Sequence, residues 1–158
     1  MKKRKYIIIF SCICAIWAAF IWSNSLQVGD ISSEISGSVT DGINNIFGKF
    51  IDGFYISGYT VRKIAHFLEF AVLAFLICID IYVIFDLKRA ANPKRAWLLC
   101  LAIPCSVAVA AVDEILQIFV DGRVGSFTDV LIDSSGALLA TGVFLLAINL
   151  KTRKRKDR

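Results

Sequence analysis

A chain of 158 residues has room for one domain, and 57% of it is hydrophobic, above the roughly 45–50% of an average soluble protein. The excess is gathered into four long apolar runs instead of the repeating amphipathic pattern of a soluble core, which excludes an ordinary soluble fold. The net charge of +5 is just as unevenly placed, and it reads as a topology signal; no nucleic-acid partner is expected.

The runs are 6–23, 64–85, 97–120 and 129–150, each within the roughly 17–25 residues that a helix needs to cross a bilayer. A lone span in lipid must satisfy its own backbone hydrogen bonds, so each run is predicted to be a helix. The expected fold is all-α: a single integral membrane domain over 1–158, a four-helix bundle with an outer amphipathic segment between helices one and two. All but four of the 18 Lys and Arg residues lie at 2–5, 88–95 and 151–158, stretches that share one side if every run crosses. The positive-inside rule makes that side cytoplasmic, with both termini. The exceptions are Lys49, Arg62, Lys63 and Arg123. A multi-pass cell-membrane protein is therefore expected.

The first run ends at Ser23-Asn24-Ser25, whose small residues would also suit signal cleavage. Its length, and Trp17 and Trp22 as interfacial anchors, favour a retained anchor. Between runs one and two, Val28, Ile31, Ile35, Val39, Ile43, Ile46, Phe50 and Phe54 recur at steps of three and four, the mark of an amphipathic helix. Gly37, Gly42 and Gly48 interrupt it, so a broken or strained helix is expected. It reads either as a connector resting on headgroups or as a lid over the span ends.

Span two opens with Arg62, Lys63, His66 and Glu69, of which Arg62, His66 and Glu69 share one helical face. Span three carries Pro104, where a kink is expected, and ends with Asp113, Glu114 and Gln117. The connection Asp121-Gly122-Arg123 leads to Asp129, Asp133 and Gly136 on span four, where Gly136, Ala140 and Gly142 permit close helix packing. Topology places all these polar groups at similar depth on the outer side. Ionised groups inside spans cost several kcal/mol by insertion scales, about 2.5–3.5 at the centre, so a shared polar pocket is expected. Asp80 and Asp86 read as interface residues near Lys88 and Arg89. The blander alternatives are Arg62 and Lys63 as anchors, His66 and Glu69 as a buried pair, and Asp129 as an N-cap or as partner of Arg123.

The five cysteines, Cys12, Cys14, Cys78, Cys100 and Cys105, all fall inside spans and read as small packing residues. Neither a CxxC pair nor metal-ligand spacing is present, so no cofactor and no bound metal is expected.

Three segments resemble the VanZ-like family of membrane proteins, known for teicoplanin resistance. Trp22-Ser23-Asn24-Ser25-Leu26-Gln27 is similar to the family's polar exit from the first span. Arg62-Lys63-Ile64-Ala65-His66-Phe67-Leu68-Glu69-Phe70 is similar to its RKxxHFxEY run. Asp113-Glu114-Ile115-Leu116-Gln117, Gly122-Arg123, Asp129, Asp133 and Gly136 match in order and spacing. The departures are Phe70 for the usual Tyr, which removes a hydroxyl, and Asp121 where Pro is common. The resemblance covers roughly residues 6–150 and implies a cell-envelope role, typically lowered sensitivity to teicoplanin-type lipoglycopeptide antibiotics. It supplies no established reaction.

Three functions follow for the polar constellation. In the first, Arg62, Lys63 and Arg123 hold an anionic amphiphile, a membrane lipid or lipid-linked envelope precursor, with Gln117, Asp129 and Asp133 completing the site. In the second, an intramembrane enzyme acts on such a precursor. His66 is then acid or base, Glu69, Asp113 and Glu114 are further catalytic candidates, and a divalent cation sits between Asp113, Glu114 and Asp129. No GxSxG, HExxH or P-loop motif supports this. The third, a small transporter, conflicts with inner span halves nearly devoid of polar residues.

Overall fold

Every described element of the chain is helical. The computed structural model describes residues 2–27, 29–85 and 93–156. The elements are α1 (Lys2–Ser25), α2 (Gly29–Phe47), α3 (Gly58–Ile84), a 3-10 segment (Pro93–Leu101), α4 (Ala102–Gln117) and α5 (Phe127–Lys156). No strand occurs among the described residues. Val28, Asp86, Lys88, Arg89 and Asn92 lie outside them.

Four stretches are long and apolar enough to cross a membrane: Lys3–Ser25, Gly58–Ile84, Trp97–Gln117 and Phe127–Lys151. They coincide with the four apolar runs. At 1.5 Å per residue, the 27 residues of α3 extend about 40 Å, beyond a hydrocarbon core of about 30 Å. The bundle is inside-out relative to a soluble protein. Ile16, Leu138, Leu139, Val143 and Leu146 are exposed, whereas Asp113, Asp133, Gln117, Glu114 and Ser25 are buried. That distribution suits a hydrocarbon surround, because lipid welcomes the apolar side chains and excludes the ionisable ones.

Two apolar clusters form the core. Ile21, Phe70, Leu73 and Ala110 pack together, and Cys78, Ile81, Leu99 and Ala102 form a second group farther along α3. Phe70, which replaces the tyrosine usual in the resembling family, is fully buried in the first. The phenyl ring therefore serves packing. The densest helix pairing is α3 with α5, and Gly136 explains it. A Cβ on Gly136 would collide with the backbone carbonyl oxygen of Phe67 and stand 3.3 Å from Ala71 N. Gly142, two turns on, has nothing within 4 Å; it faces outward and brings no helices together.

Helix α1 is fastened from the side. Trp17 Nε1 donates to Glu69 O at 3.0 Å and Trp22 Nε1 donates to Val109 O at 3.3 Å. Both rings pack against the first core cluster. The indoles thus rivet α1 to α3 and α4. At the far end Ser11 Oγ donates to Asp80 Oδ2 at 2.8 Å, the local partner of that carboxylate.

Helix α2 runs unbroken through Gly37 and Gly42 and ends before Gly48. The expected interruption is absent at Gly37 and Gly42, because a glycine inside a helix costs only about 1 kcal/mol relative to alanine and both lie in open space. At Gly48 the helix does stop, which leaves Phe50 and Phe54 beyond it. Ile35, Val39 and Ile46 stay exposed, as on a helix resting on a lipid surface. The return to α3 is hooked to it: Asn44 Nδ2 donates to Ile56 O at 3.0 Å, and Ile56 N donates to Asn44 Oδ1 at 2.9 Å. Ser57 then caps α3, its Oγ accepting from Thr60 N at 3.2 Å, as an N-cap does.

The third crossing is composite. Its first part is 3-10 helix and its second α-helix, the change falling between Leu101 and Ala102. Pro104 is the third residue of α4, where its missing N–H is one that a helix start leaves unbonded anyway. A change of helix type thus lies just upstream of the proline. Of the cysteines, only Cys78 is buried, while Cys12, Cys100 and Cys105 are exposed. Packing accounts for one cysteine; those three face outward.

Candidate functional site

The polar groups gather at one end of the bundle, where α1 ends, α3 begins, α4 ends and α5 begins. The local sequence makes this possible. Gly122 takes a φ of +76°, open to glycine at little cost, and turns the chain from α4 to α5 in a short connection. Arg123 N closes that turn on Val120 O at 3.1 Å. Glu114 then reaches across it, its Oε2 accepting from Ser126 N at 2.6 Å. Helix α5 starts at Phe127, so Asp129 lies in its first turn and is not the N-cap.

Asp113 is held from two helices. Ser25 Oγ donates to its Oδ2 at 2.7 Å, and Gln117 Nε2 donates to the same oxygen at 3.0 Å and to Ser25 Oγ at 3.3 Å. Glu69 accepts from Asn24 Nδ2 at 3.0 Å through Oε1. Lys63 forms an ion pair with Asp129 and lies over the Tyr59 ring, 5.0 Å from its centroid. His66 Nδ1 stands 3.9 Å from Asp133 Oδ1.

These pairings correct several sequence-level expectations. His66 and Glu69 share a face but not a bond: Glu69 is taken by Asn24, and the carboxylate facing His66 comes from span four. Asp129 pairs with Lys63 and leaves Arg123 to other neighbours. Arg123 lies among Arg62, Asp113 and Glu114; burial first, and then the positive charge of Arg62, push its guanidinium below the ordinary arginine value, while the two carboxylates oppose this.

Arg62, His66 and Arg123 face two adjoining cavities. One, of about 240 Å³, is walled by Ile35, Ser36 and Val39 of α2 and by Val61 and Ala65, and reaches Glu69. The other, of about 300 Å³, is bounded by Lys63, Gln117, Ser126 and Asp129. The exposed surface of the first is mostly carbon, although Asn24 and Gln27 line it too, and that of the second is mostly polar. Helix α2 therefore supplies a wall of the site as well as a link between spans.

All ten candidate residues, Arg62, Lys63, His66, Glu69, Asp113, Glu114, Gln117, Arg123, Asp129 and Asp133, lie in this one region. Those missed as site residues are Asn24 and Ser25, which fix Glu69 and Asp113, and the backbone of Ser126. The signal was in the sequence: the first span ends in consecutive small polar residues at the depth where the other polar groups lie.

The same stretches, from the first span through the fourth, carry a family signature. A family model described as VanZ/LLP1 matches residues 10–148. The chain belongs to the VanZ-like family. With four long apolar helices, this VanZ-like chain is a multi-pass membrane protein. No curated protein and no solved structure matches it. The matched range contains every site residue, including the Asn24 and Ser25 contacts that the VanZ-like chain uses to fasten its first span.

Proposed function

We propose that this VanZ-like protein binds an anionic amphiphile at the outer leaflet, with both termini in the cytoplasm and the polar end of the bundle facing out. The observation that carries the reading is the pair of adjoining cavities that share Arg62, His66 and Arg123. An amphiphile has two parts of opposite solubility, and the two walls are matched to them. Arg62 and Arg123 meet the headgroup, where guanidinium forks suit phosphate or carboxylate. Ile35, Val39, Val61 and Ala65 meet the apolar portion. The orientation is supported by the basic clusters at 2–5, 88–95 and 151–158, by the positive-inside rule. In the cell envelope, capture of such a molecule lowers sensitivity to teicoplanin-type lipoglycopeptides.

The test compares phosphatidylglycerol with phosphatidylcholine retained by the purified full-length protein in detergent, read by native mass spectrometry. Wild type retains the anionic lipid preferentially. Arg62→Ala and Arg123→Ala each weaken that retention about tenfold, the scale of one hydrogen bond to a charged group, and leave phosphatidylcholine unchanged. Equal retention of both lipids by wild type overturns the reading.

A further inference from the structure

Asp133, which the sequence reading puts in the amphiphile site, lines neither of the two cavities. It is 0% exposed, and neither Oδ1 nor Oδ2 has a hydrogen-bond partner among the described residues. An unpartnered carboxylate is expensive to bury, because desolvation is not offset. Among the other buried atoms in that condition, His66 Nδ1 and Asp113 Oδ1 belong to side chains beside it. The 3.9 Å between His66 Nδ1 and Asp133 Oδ1 is too long for a hydrogen bond. One donor atom from each of His66, Asp113 and Asp133 lies within 4.8 Å of the other two.

The neighbouring acids stand outside this group. Asp129 pairs with Lys63. Glu114 accepts from the Ser126 amide through Oε2 and keeps Oε1 buried without a partner, but it is not one of the three residues whose ligand atoms cluster within 4.8 Å. Asp113 is clamped through Oδ2 by Ser25 and Gln117, which leaves Oδ1 buried without a partner. Such outer-layer hydrogen bonds orient a ligating carboxylate and fix its geometry. We propose that His66, Asp113 and Asp133 form a binding site for a divalent first-row transition cation, Mn²⁺ or Zn²⁺.

The donor set decides the class. One imidazole nitrogen with two carboxylate oxygens suits a borderline ion, whereas Ca²⁺ takes six to eight oxygens and Mg²⁺ keeps several waters. Ligand atoms about 2.1 Å from an ion stand roughly 3–3.5 Å from one another, so the three side chains converge by about 1 Å on binding. The cation replaces the missing hydrogen bonds of both aspartates at once. This is a different set from Asp113, Glu114 and Asp129, the clustered carboxylates named from the sequence. Because His66 borders both cavities, the ion lies beside the headgroup chamber. Its binding does not depend on any amphiphile.

The experiment uses the purified full-length protein, stripped with chelator and titrated with MnCl₂ or ZnCl₂. Wild type takes up one equivalent, and the Mn²⁺ form shows nitrogen coupling from one imidazole in pulsed electron paramagnetic resonance. Asp133→Asn and His66→Ala each weaken uptake at least about tenfold. Asp80→Asn leaves it unchanged, although Asp80 also has a buried oxygen without a partner at the opposite end of the bundle. The spectroscopic readout needs no variant, so it stands if either substitution prevents folding. Absence of saturable uptake in wild type, as would follow if Asp133 carries a proton instead, overturns the site. So does uptake that persists in both variants, or Ca²⁺ bound as tightly as Mn²⁺.

Discussion

The two ends of the bundle are built from the same four spans by opposite means. Around Cys78, Ile81, Leu99 and Ala102 the helices meet through small and aliphatic side chains, with Ser11 and Asp80 as a hydrogen-bonded polar pair nearby. At the other end three cations, five carboxylates and a histidine converge from three helices and a turn. Packing at the first end asks only for volume. At the second, each group needs a partner, and several buried oxygens lack one. A membrane protein gains little stability from such an arrangement, so the contrast makes the polar end the candidate site.

The comparison can be broken most completely through its orientation. With the native cysteines replaced, Ser126→Cys is expected to react with an impermeant thiol reagent added outside cells, and Asn92→Cys is not. Reversed labelling would put the polar end in the cytoplasm. A large but graded effect is expected at Gly136. Gly136→Ala forces a methyl group into the α3 backbone and is expected to cost about 3 kcal/mol, the upper range for overpacking. Gly142→Ala, on the same helix but in open space, is expected to shift stability by no more than about 1 kcal/mol. Reversible unfolding in mixed micelles measures both, and equal losses would show that the α3–α5 approach is not what Gly136 is for. The smallest effect sharpens the contrast between ends. Ser25→Ala removes a buried bond to Asp113 and should cost about 1 kcal/mol, near the values for hydrogen bonds within membranes. Ser11→Ala removes an exposed one and should cost less; the reverse order would contradict the assignment of Asp113 as clamped.

The architecture was readable because lipid imposes a simple rule, and the lengths of the apolar runs alone locate the spans. Convergence of the ten polar residues was readable for a related reason: an antiparallel crossing returns the end of span three and the start of span four to the depth of Arg62 and His66. Their pairing was not. Whether Asp129 meets Lys63 or Arg123, and whether His66 faces Glu69 or Asp133, depends on the rotation of α3 and α5 about their axes. Gly136 sets that rotation through contact with a backbone carbonyl, a relation between chain segments about 70 residues apart that no local spacing encodes. The acceptors of Trp17 and Trp22 were hidden for a similar reason. Which acceptor lies opposite an indole N–H depends on how the helices face one another, not on its sequence position.

Those two indoles also give the protein a built-in optical gauge. Trp17 and Trp22 donate to main-chain carbonyls of other helices, while Trp97 is 62% exposed. Emission from the first pair therefore depends on whether α1 is docked, and emission from Trp97 does not. With Trp97 replaced by Phe, intrinsic fluorescence would follow the attachment of the first span alone. The span that carries Asn24 and Ser25 into the polar end could then be watched arriving and leaving without a dye.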